Sequence, residues 1–280
     1  MSTAPAAPAR PLAGRTVLIK CGGSVLDADD AGRTFAEDVA LLADGGARVV
    51  VVHGGGPQID THLKRLGIQP VFRHGLRVTT PPTMEVVRMV LAGQVQRRLV
   101  GLLNRERRLA VGLTGEDART FTAADRPAFH RGQRVDLGLV GDIVEVDDRL
   151  LRTLLDAGLV PVVSSIARSA DGSGVRNVNA DLAAAALAAA LRADTLLLLT
   201  DVAGLYPGQP DRGEVLDRLT AAEADALLPG LTGGMIPKVR ACSQAVRAGV
   251  ATARIADGRI PHAVREHLLT GRRTGTTVSP

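Results

Sequence analysis

The chain has 280 residues, 45% hydrophobic and 22% charged, with 34 Lys+Arg against 29 Asp+Glu and a net charge of +5. That length and balance describe one large domain or two intimate lobes with a substantial core, and exclude a disordered or fibrous protein. With four Phe, one Tyr and no Trp, the chain lacks the aromatic platforms on which single-stranded nucleic acid stacks.

The opening MSTAPAAPARPLAGR has no apolar signal region, and residues 1–14 read as a mobile Ala/Pro-rich leader. From residue 15 onward the pattern repeats as short apolar run, loop and helical stretch. Thr16–Lys20 and Arg48–His53 are continuous β-branched runs of the kind buried on both faces of a sheet. Between them, Asp30–Leu42 carries Phe35, Val39 and Leu42 at helical spacing. Pro70–Thr79 and Phe121–Glu145 have turn residues and no helical period, and read as hairpin excursions. Thr83–Leu103 is a long helical candidate whose start is marked by Pro81 and Pro82. Ala110–Leu113, Val160–Val163 and Thr195–Thr200 read as further buried strands, with an Ala/Leu helix at Asp181–Leu191. Strand alternating with helix predicts an α/β fold with a mostly parallel sheet. A weak break near residue 157 divides it into halves of about 15–157 and 158–280.

No stretch reaches the ~18 uncharged apolar residues of a membrane span. Two cysteines, Cys21 and Cys242, make neither a disulfide framework nor a zinc cluster. A soluble, cytoplasmic protein with no nucleic-acid or membrane partner is expected.

Of the 34 basic residues only Lys20, Lys64 and Lys238 are lysine. Two of these three stand at glycine-rich loops. Lys20-Cys21-Gly22-Gly23-Ser24 follows the first strand, where glycine lets backbone N–H groups approach an anion and Lys20 adds charge. A plain strand-to-helix turn explains the same glycines. His53-Gly54-Gly55-Gly56-Pro57 leads into a helix starting near Pro57. Three glycines exceed what a turn needs, so a ligand packing on the backbone is the stronger reading there. His53 reads as a strand-end packing or hydrogen-bonding residue and not as a base. Gly233-Gly234-Met235-Ile236-Pro237-Lys238 opens a helical pattern through Val246. The helix dipole disfavours an unpaired cation at that end, a conflict that a phosphate would relieve.

In Asn177-Val178-Asn179-Ala180-Asp181, alternate residues share a face, so Asn177 and Asn179 can both address a polar ligand. Asp181 is either an N-cap or a carboxylate that holds the two lysines between phosphate groups. Arg77, in Gly75-Leu76-Arg77-Val78-Thr79, can grip a carboxylate bidentately. Thr200-Asp201-Val202-Ala203-Gly204-Leu205 follows the LLLL strand, as a turn beside a nucleotide or as ordinary turn punctuation. Neither G-x-G-x-x-G nor G-x-x-x-x-G-K-[ST] occurs, which removes motif support for a dinucleotide-dependent dehydrogenase or a P-loop enzyme.

Taken in order, KCGGS, HGGGPQ, GLRVT, NVNAD, LTDVAGLY, GGMIPK and DGRIPH resemble the amino-acid kinase superfamily and, within it, the acetylglutamate kinases. The resemblance runs from about Thr16 to Val278. It implies a three-layer α/β/α sandwich, with the acyl amino acid held by the N-terminal half and ATP by the C-terminal half. It implies that Lys20 and Lys238 stabilise a transferring phosphoryl group and that Asp181 organises them. Gly22 and Gly23 would contact phosphate oxygens. Gly55, Gly56, Arg77 and Asn177, with Asn179 adjacent, would bind N-acetyl-L-glutamate. Thr200, Asp201, Gly204 and Leu205 would flank the nucleotide, and Mg²⁺ would ride on the ATP phosphates, with no metal site of the chain's own.

The implied reaction is phosphorylation of the acetylglutamate side-chain carboxylate, the second step of arginine biosynthesis. A carboxylate with an ordinary pKa of ~4.3 is already ionised at neutral pH, so no general base is required. Cys21 and His74 depart from residues common in the family. The short leader implies that the hexamer-forming N-terminal helix of arginine-inhibited relatives is absent, giving a homodimer with weak or no arginine feedback. Two other readings stand beside this one. They are a same-fold kinase acting on a carrier-linked glutamate or aminoadipate, and a sensing subunit that has lost catalysis.

Overall fold

The computed structural model describes residues 12–23, 29–73, 75–130, 133–206, 214–270 and 275–280, the side chains of 128–134 excepted. His74, Ser24 and most of the expected leader therefore lie outside the described residues. In chain order the elements are β1 (Thr16–Cys21), α1 (Asp29–Asp44), β2 (Arg48–His53), α2 (Gly56–Arg65), β3 (Phe72–Arg73), β4 (Leu76–Arg77), α3 (Pro81–Arg88), α4 (Gln96–Leu103), β5 (Ala110–Leu113), β6 (Phe121–Asp125), β7 (Ala128–His130) and β8 (Gln133–Val135). There follow β9 (Gly141–Val146), α5 (Arg149–Asp156), β10 (Val160–Ser164), β11 (Ile166–Ser169), β12 (Val175–Asn177), α6 (Ala180–Leu191), β13 (Thr195–Thr200), β14 (Arg218–Thr220), α7 (Ala221–Leu227), α8 (Met235–Arg247), β15 (Thr252–Asp257), α9 (Ala263–Leu268) and β16 (Thr276–Ser279).

The main sheet has the order β14-β16-β15-β13-β1-β2-β10-β5. Every neighbouring pair in it is parallel except β15 with β16. The central strand β1 has one side-chain parity on each face. Val17, Ile19 and Cys21 pack with Val49 and Val51 of β2 against Phe35 and Val39 of α1, Val87 of α3 and Leu99 of α4. Leu18 packs with Val50 and Val52 against Leu151 of α5, Leu187 of α6 and Cys242 and Ala245 of α8. The result is helix, sheet, helix, the three-layer α/β/α arrangement expected. Burying such Val, Leu and Ile side chains is worth ~1.5–3 kcal/mol each, and this drives the layering.

The same parity decides where chemistry can sit. Lys20 follows Leu18 on the α6/α8 face, and His53 follows Val51 on the α1/α4 face. Both stand at the carboxyl ends of their strands, where open parallel sheets collect ligands.

Two expectations are modified. The long helix predicted from Thr83 begins at Pro81, capped by the Thr80 side chain, and is interrupted by a π-helical stretch, Met89–Val95, between α3 and α4. Hydrophobic spacing does not register one wide turn, which is why the sequence reads as continuous helix. The excursion predicted over Phe121–Glu145 is larger than a hairpin. β6 pairs antiparallel with β9, and β11 and β12 extend them into a second sheet in the order β12-β11-β6-β9. The short, polar β11 and β12 have no alternation that would reveal them. The excursion at Pro70–Thr79 is the hairpin β3–β4.

Gln96 fastens the long helix to the sheet. It is 3% exposed, and its Nε2 donates to the carbonyls of Leu113 (2.6 Å), at the end of β5, and Val162 (3.1 Å), in the middle of β10. Gln96→Leu keeps the volume and removes both of these hydrogen bonds. We expect a loss of about 2 kcal/mol in unfolding free energy, measured by urea denaturation.

Candidate active site

Three side chains from three elements meet at the carboxyl end of β1. Lys20 is the penultimate residue of that strand, followed by the fully buried Cys21, and is 7% exposed. Asp181 is the second residue of α6, and Lys238 stands in the first turns of α8. Lys20 Nζ lies 2.8 Å from Asp181 Oδ1, and Lys238 Nζ donates to Asp181 Oδ2 at 3.0 Å. Each carboxylate oxygen thus faces its own ammonium group. Burial by itself resists ionisation of Asp181 and is the largest single influence on it. The two ammonium groups together outweigh burial and hold the carboxyl at about 2, below its usual 3.8.

The N-cap reading of Asp181 is corrected by this geometry. Asn179 is the cap of α6, its Oδ1 accepting from the Asp181 and Leu182 N–H groups at 2.9 and 3.2 Å. That frees the Asp181 carboxylate for the lysines and commits the Asn179 oxygen to the helix. The conflict between Lys238 and the dipole of α8 is relieved by Asp181, the carboxylate expected to hold it.

The glycine loops lean on one another. A Cβ at Gly23 would come 2.4 Å from Gln58 Oε1, and Gln58 Nε2 donates to the Gly23 carbonyl at 3.3 Å. A Cβ at Gly55 would come 2.8 Å from Leu91 Cδ2 and 3.1 Å from Val95 Cγ2, on the π-helical stretch. Glycine is needed at Gly55 for close approach and not for backbone freedom. Beside this turn opens a cleft of about 180 Å³, lined by Gly54, Gly55, Gly56, Arg77, Asn177 and Asn179 among others. The five residues expected to bind an acyl amino acid thus share one cavity. Asn177 Nδ2 donates to Thr79 Oγ1 at 3.0 Å.

Arg77 is not idle. Its guanidinium donates to Asp60 Oδ1 at 2.5 Å and to the Gly56 carbonyl at 3.3 Å, and lies 4.6 Å from the centre of the Phe72 ring. Sequence reasoning missed Asp60 and Phe72. The available signal was position: Asp60 follows the glycine turn by one helical turn, and Phe72 is one of four Phe in the chain.

The residues of the LTDVAGLY turn are less open. Thr200 Oγ1 donates to Asp201 Oδ1 at 3.1 Å. Gly204 is pressed against Val215 and Thr276, and Leu205 is 1% exposed with its N–H donating to Thr276 Oγ1 at 2.7 Å. The Leu205 side chain belongs to the core and anchors the turn expected to flank a nucleotide. Cys21 packs in the core, and burial pushes its thiol up to about 12.

A model of the Amino acid kinase family matches residues 15–257. The chain belongs to that family. The acetylglutamate kinase of Acidothermus cellulolyticus is 58% identical over 270 residues, covering 95% of this chain and 91% of that one. The acetylglutamate kinase of Streptomyces griseus is 55% identical, over 95% of this chain and 86% of its own. Among solved structures, an N-acetylglutamate synthase from Neisseria gonorrhoeae superimposes with a TM-score of 0.82 at 27% identity, covering 97% of this chain. The chain spans 61% of that synthase's length. The carbamate kinase of Giardia lamblia, at 21% identity and a TM-score of 0.67, shares the fold. These relatives lend nothing to the carrier-linked or non-catalytic readings.

The depressed acidity of Asp181 sets a pH dependence. A carboxyl whose folded pKa lies below its unfolded one contributes stability above about pH 4, lost as pH falls through about 2. We expect acid unfolding of the wild type to steepen between those values and Asp181→Asn to lack that component. Circular dichroism along an acid titration measures it.

Proposed function

We propose that this chain transfers the γ-phosphoryl group of ATP to the side-chain carboxylate of N-acetyl-L-glutamate, giving the acyl phosphate and ADP. The observation that carries the reading is the pair of lysine ammonium groups held on opposite oxygens of one buried carboxylate, beside a cleft lined by four glycines, an arginine and two asparagines. The acceptor is taken from the relatives, named acetylglutamate kinase at 53–58% identity over 95% of the chain.

The chemistry follows from charge. Phosphoryl transfer needs its reacting oxygens in line and its equatorial oxygens neutralised, with little for the protein to do covalently. The acceptor carboxylate is a nucleophile without deprotonation. Lys20 and Lys238 supply two positive charges on flexible stems, and Asp181 keeps both tips at one place while leaving the cluster net positive. Gly22, Gly23, Gly55 and Gly56 offer backbone N–H groups at strand and helix ends for phosphate and carboxylate oxygens. Arg77, steadied by Asp60 and Phe72, addresses the acceptor's fixed carboxylate, and Asn177 and Asn179 its amide. Thr200, Asp201 and Gly204 flank the nucleotide, whose Mg²⁺ is carried on its phosphates. We further assign the working unit as a homodimer in the cytoplasm.

A hydroxylamine trap with ATP and acetylglutamate, glutamate or aspartate tests the reaction. Hydroxamate from acetylglutamate far above the other two is expected, and none from acetylglutamate would refute the assignment. Lys238→Ala should lower kcat by about 10²–10³-fold while acetylglutamate binding, read by calorimetry, changes little. Near-normal turnover would remove Lys238 from the role given to it.

A further inference from the structure

We propose that His53 is a positioning residue for this transfer. Its Nδ1–H holds the Gly54 carbonyl so that the Gly55 N–H is presented, as a backbone donor to the transferring group, toward the face of the sheet that carries Lys20, Asp181 and Lys238. The proposal rests on the kinase reading above and adds a residue to it.

His53 ends β2, is fully buried, and lies on the α1/α4 face, opposite to Lys20. Its Nδ1 is 3.0 Å from the Gly54 carbonyl oxygen. A carbonyl can only accept, so Nδ1 carries the proton and Nε2 is the bare nitrogen. Burial, the largest influence on the ring, lowers its pKa to about 4, so the ring is neutral at working pH.

No cis peptide bond occurs among the described residues, and in a planar trans peptide the N–H points opposite to the preceding C=O. A Gly54 carbonyl drawn toward the α1/α4 face therefore turns the Gly55 N–H toward the other face. The turn abuts the machinery there: a Cβ at Gly54 would lie 3.5 Å from Cβ of Ala180, the neighbour of Asp181. The Gly54 N–H donates to the Cys21 carbonyl at 3.3 Å, so both polar ends of Gly54 are tied. Among the described residues the Gly55 N–H has no backbone acceptor.

A second observation concerns the cost of this histidine. Ser164 of β10 is its in-register neighbour, and His53 Nε2 and Ser164 Oγ are both buried without a hydrogen-bond partner among the described residues. An unpaired buried acceptor costs about 1–3 kcal/mol. A further valine after Val49–Val52 would incur no such cost. The ring is retained for what its other nitrogen does.

The two nitrogens can be replaced separately. The amide of Asn reaches the position of Nδ1, and that of the longer Gln reaches the position of Nε2. We expect His53→Gln to lower kcat about 100-fold with both KM values within about threefold, and His53→Asn to recover kcat to within about tenfold of wild type. The melting temperatures of the two variants should shift alike. Wild-type turnover in His53→Gln, or equal losses in both variants that follow their melting temperatures, would overturn the proposal. The ¹⁵N shifts of the His53 ring give a readout independent of activity. A protonated Nδ1 with a bare Nε2 at pH 7 supports the positioning, and the reverse tautomer overturns it even in an active enzyme. If the wild type shows the expected tautomer yet makes no acyl phosphate, the kinase reading fails and takes the receiving group with it.

Discussion

The structure depends on a buried carboxylate that is never left alone. Asp181 is 3% exposed, and an isolated carboxylate at that depth would carry a desolvation penalty of several kcal/mol. Two cations on opposite oxygens offset it, and each is delivered by a different route. Lys20 arrives by strand parity, Lys238 by the packing of α8 against α6. The Ala-rich sequence of α6 (ADLAAAALAAAL) has small side chains that let α8 draw near. Asn179 takes the capping duty that would otherwise divert Asp181. The ion cluster is thus the meeting point of β1, α6 and α8, and whatever shifts any of them moves a charge.

The two faces of the sheet divide the work. One carries the cationic cluster, and the other packs the long helix whose π-helical stretch presses on Gly55. The glycine turn lies between them, and Gln58 bridges from it to the Gly23 carbonyl of the first loop. The glycine turn is therefore braced from both sides. The Arg77 guanidinium is held by Asp60 and the Gly56 carbonyl, so the hairpin is tied to the same turn.

Much of this was legible in the residues. The β-branched runs at Thr16–Lys20 and Arg48–His53 announced central strands because a strand buried on both faces tolerates little else. Lysine scarcity directed attention to Lys20 and Lys238, and the glycine loops marked the strand ends. Less legible were features set by partners distant in the chain. Which of Asn179 and Asp181 caps α6 depends on where two lysines 161 and 57 residues away from Asp181 come to rest. The seating of Leu205 depends on Thr276 of the last strand, and the grip of Asp60 on Arg77 on a hairpin with no strong period of its own. Local pattern names candidates, and tertiary contact assigns their duties.

The position of β10 bears on how the chain is made. This strand, from residues 160–164, slots between β2 and β5, both of which precede it in synthesis. While a ribosome is still producing the stretch between them, β5 has no neighbour in the main sheet and the Val49–Val52 edge is open on one side. Parallel pairing across such separations is slow, and an uncovered valine edge readily recruits other strands. The nascent protein therefore passes through an interval of adhesiveness that ends only when Ser164 clears the exit tunnel.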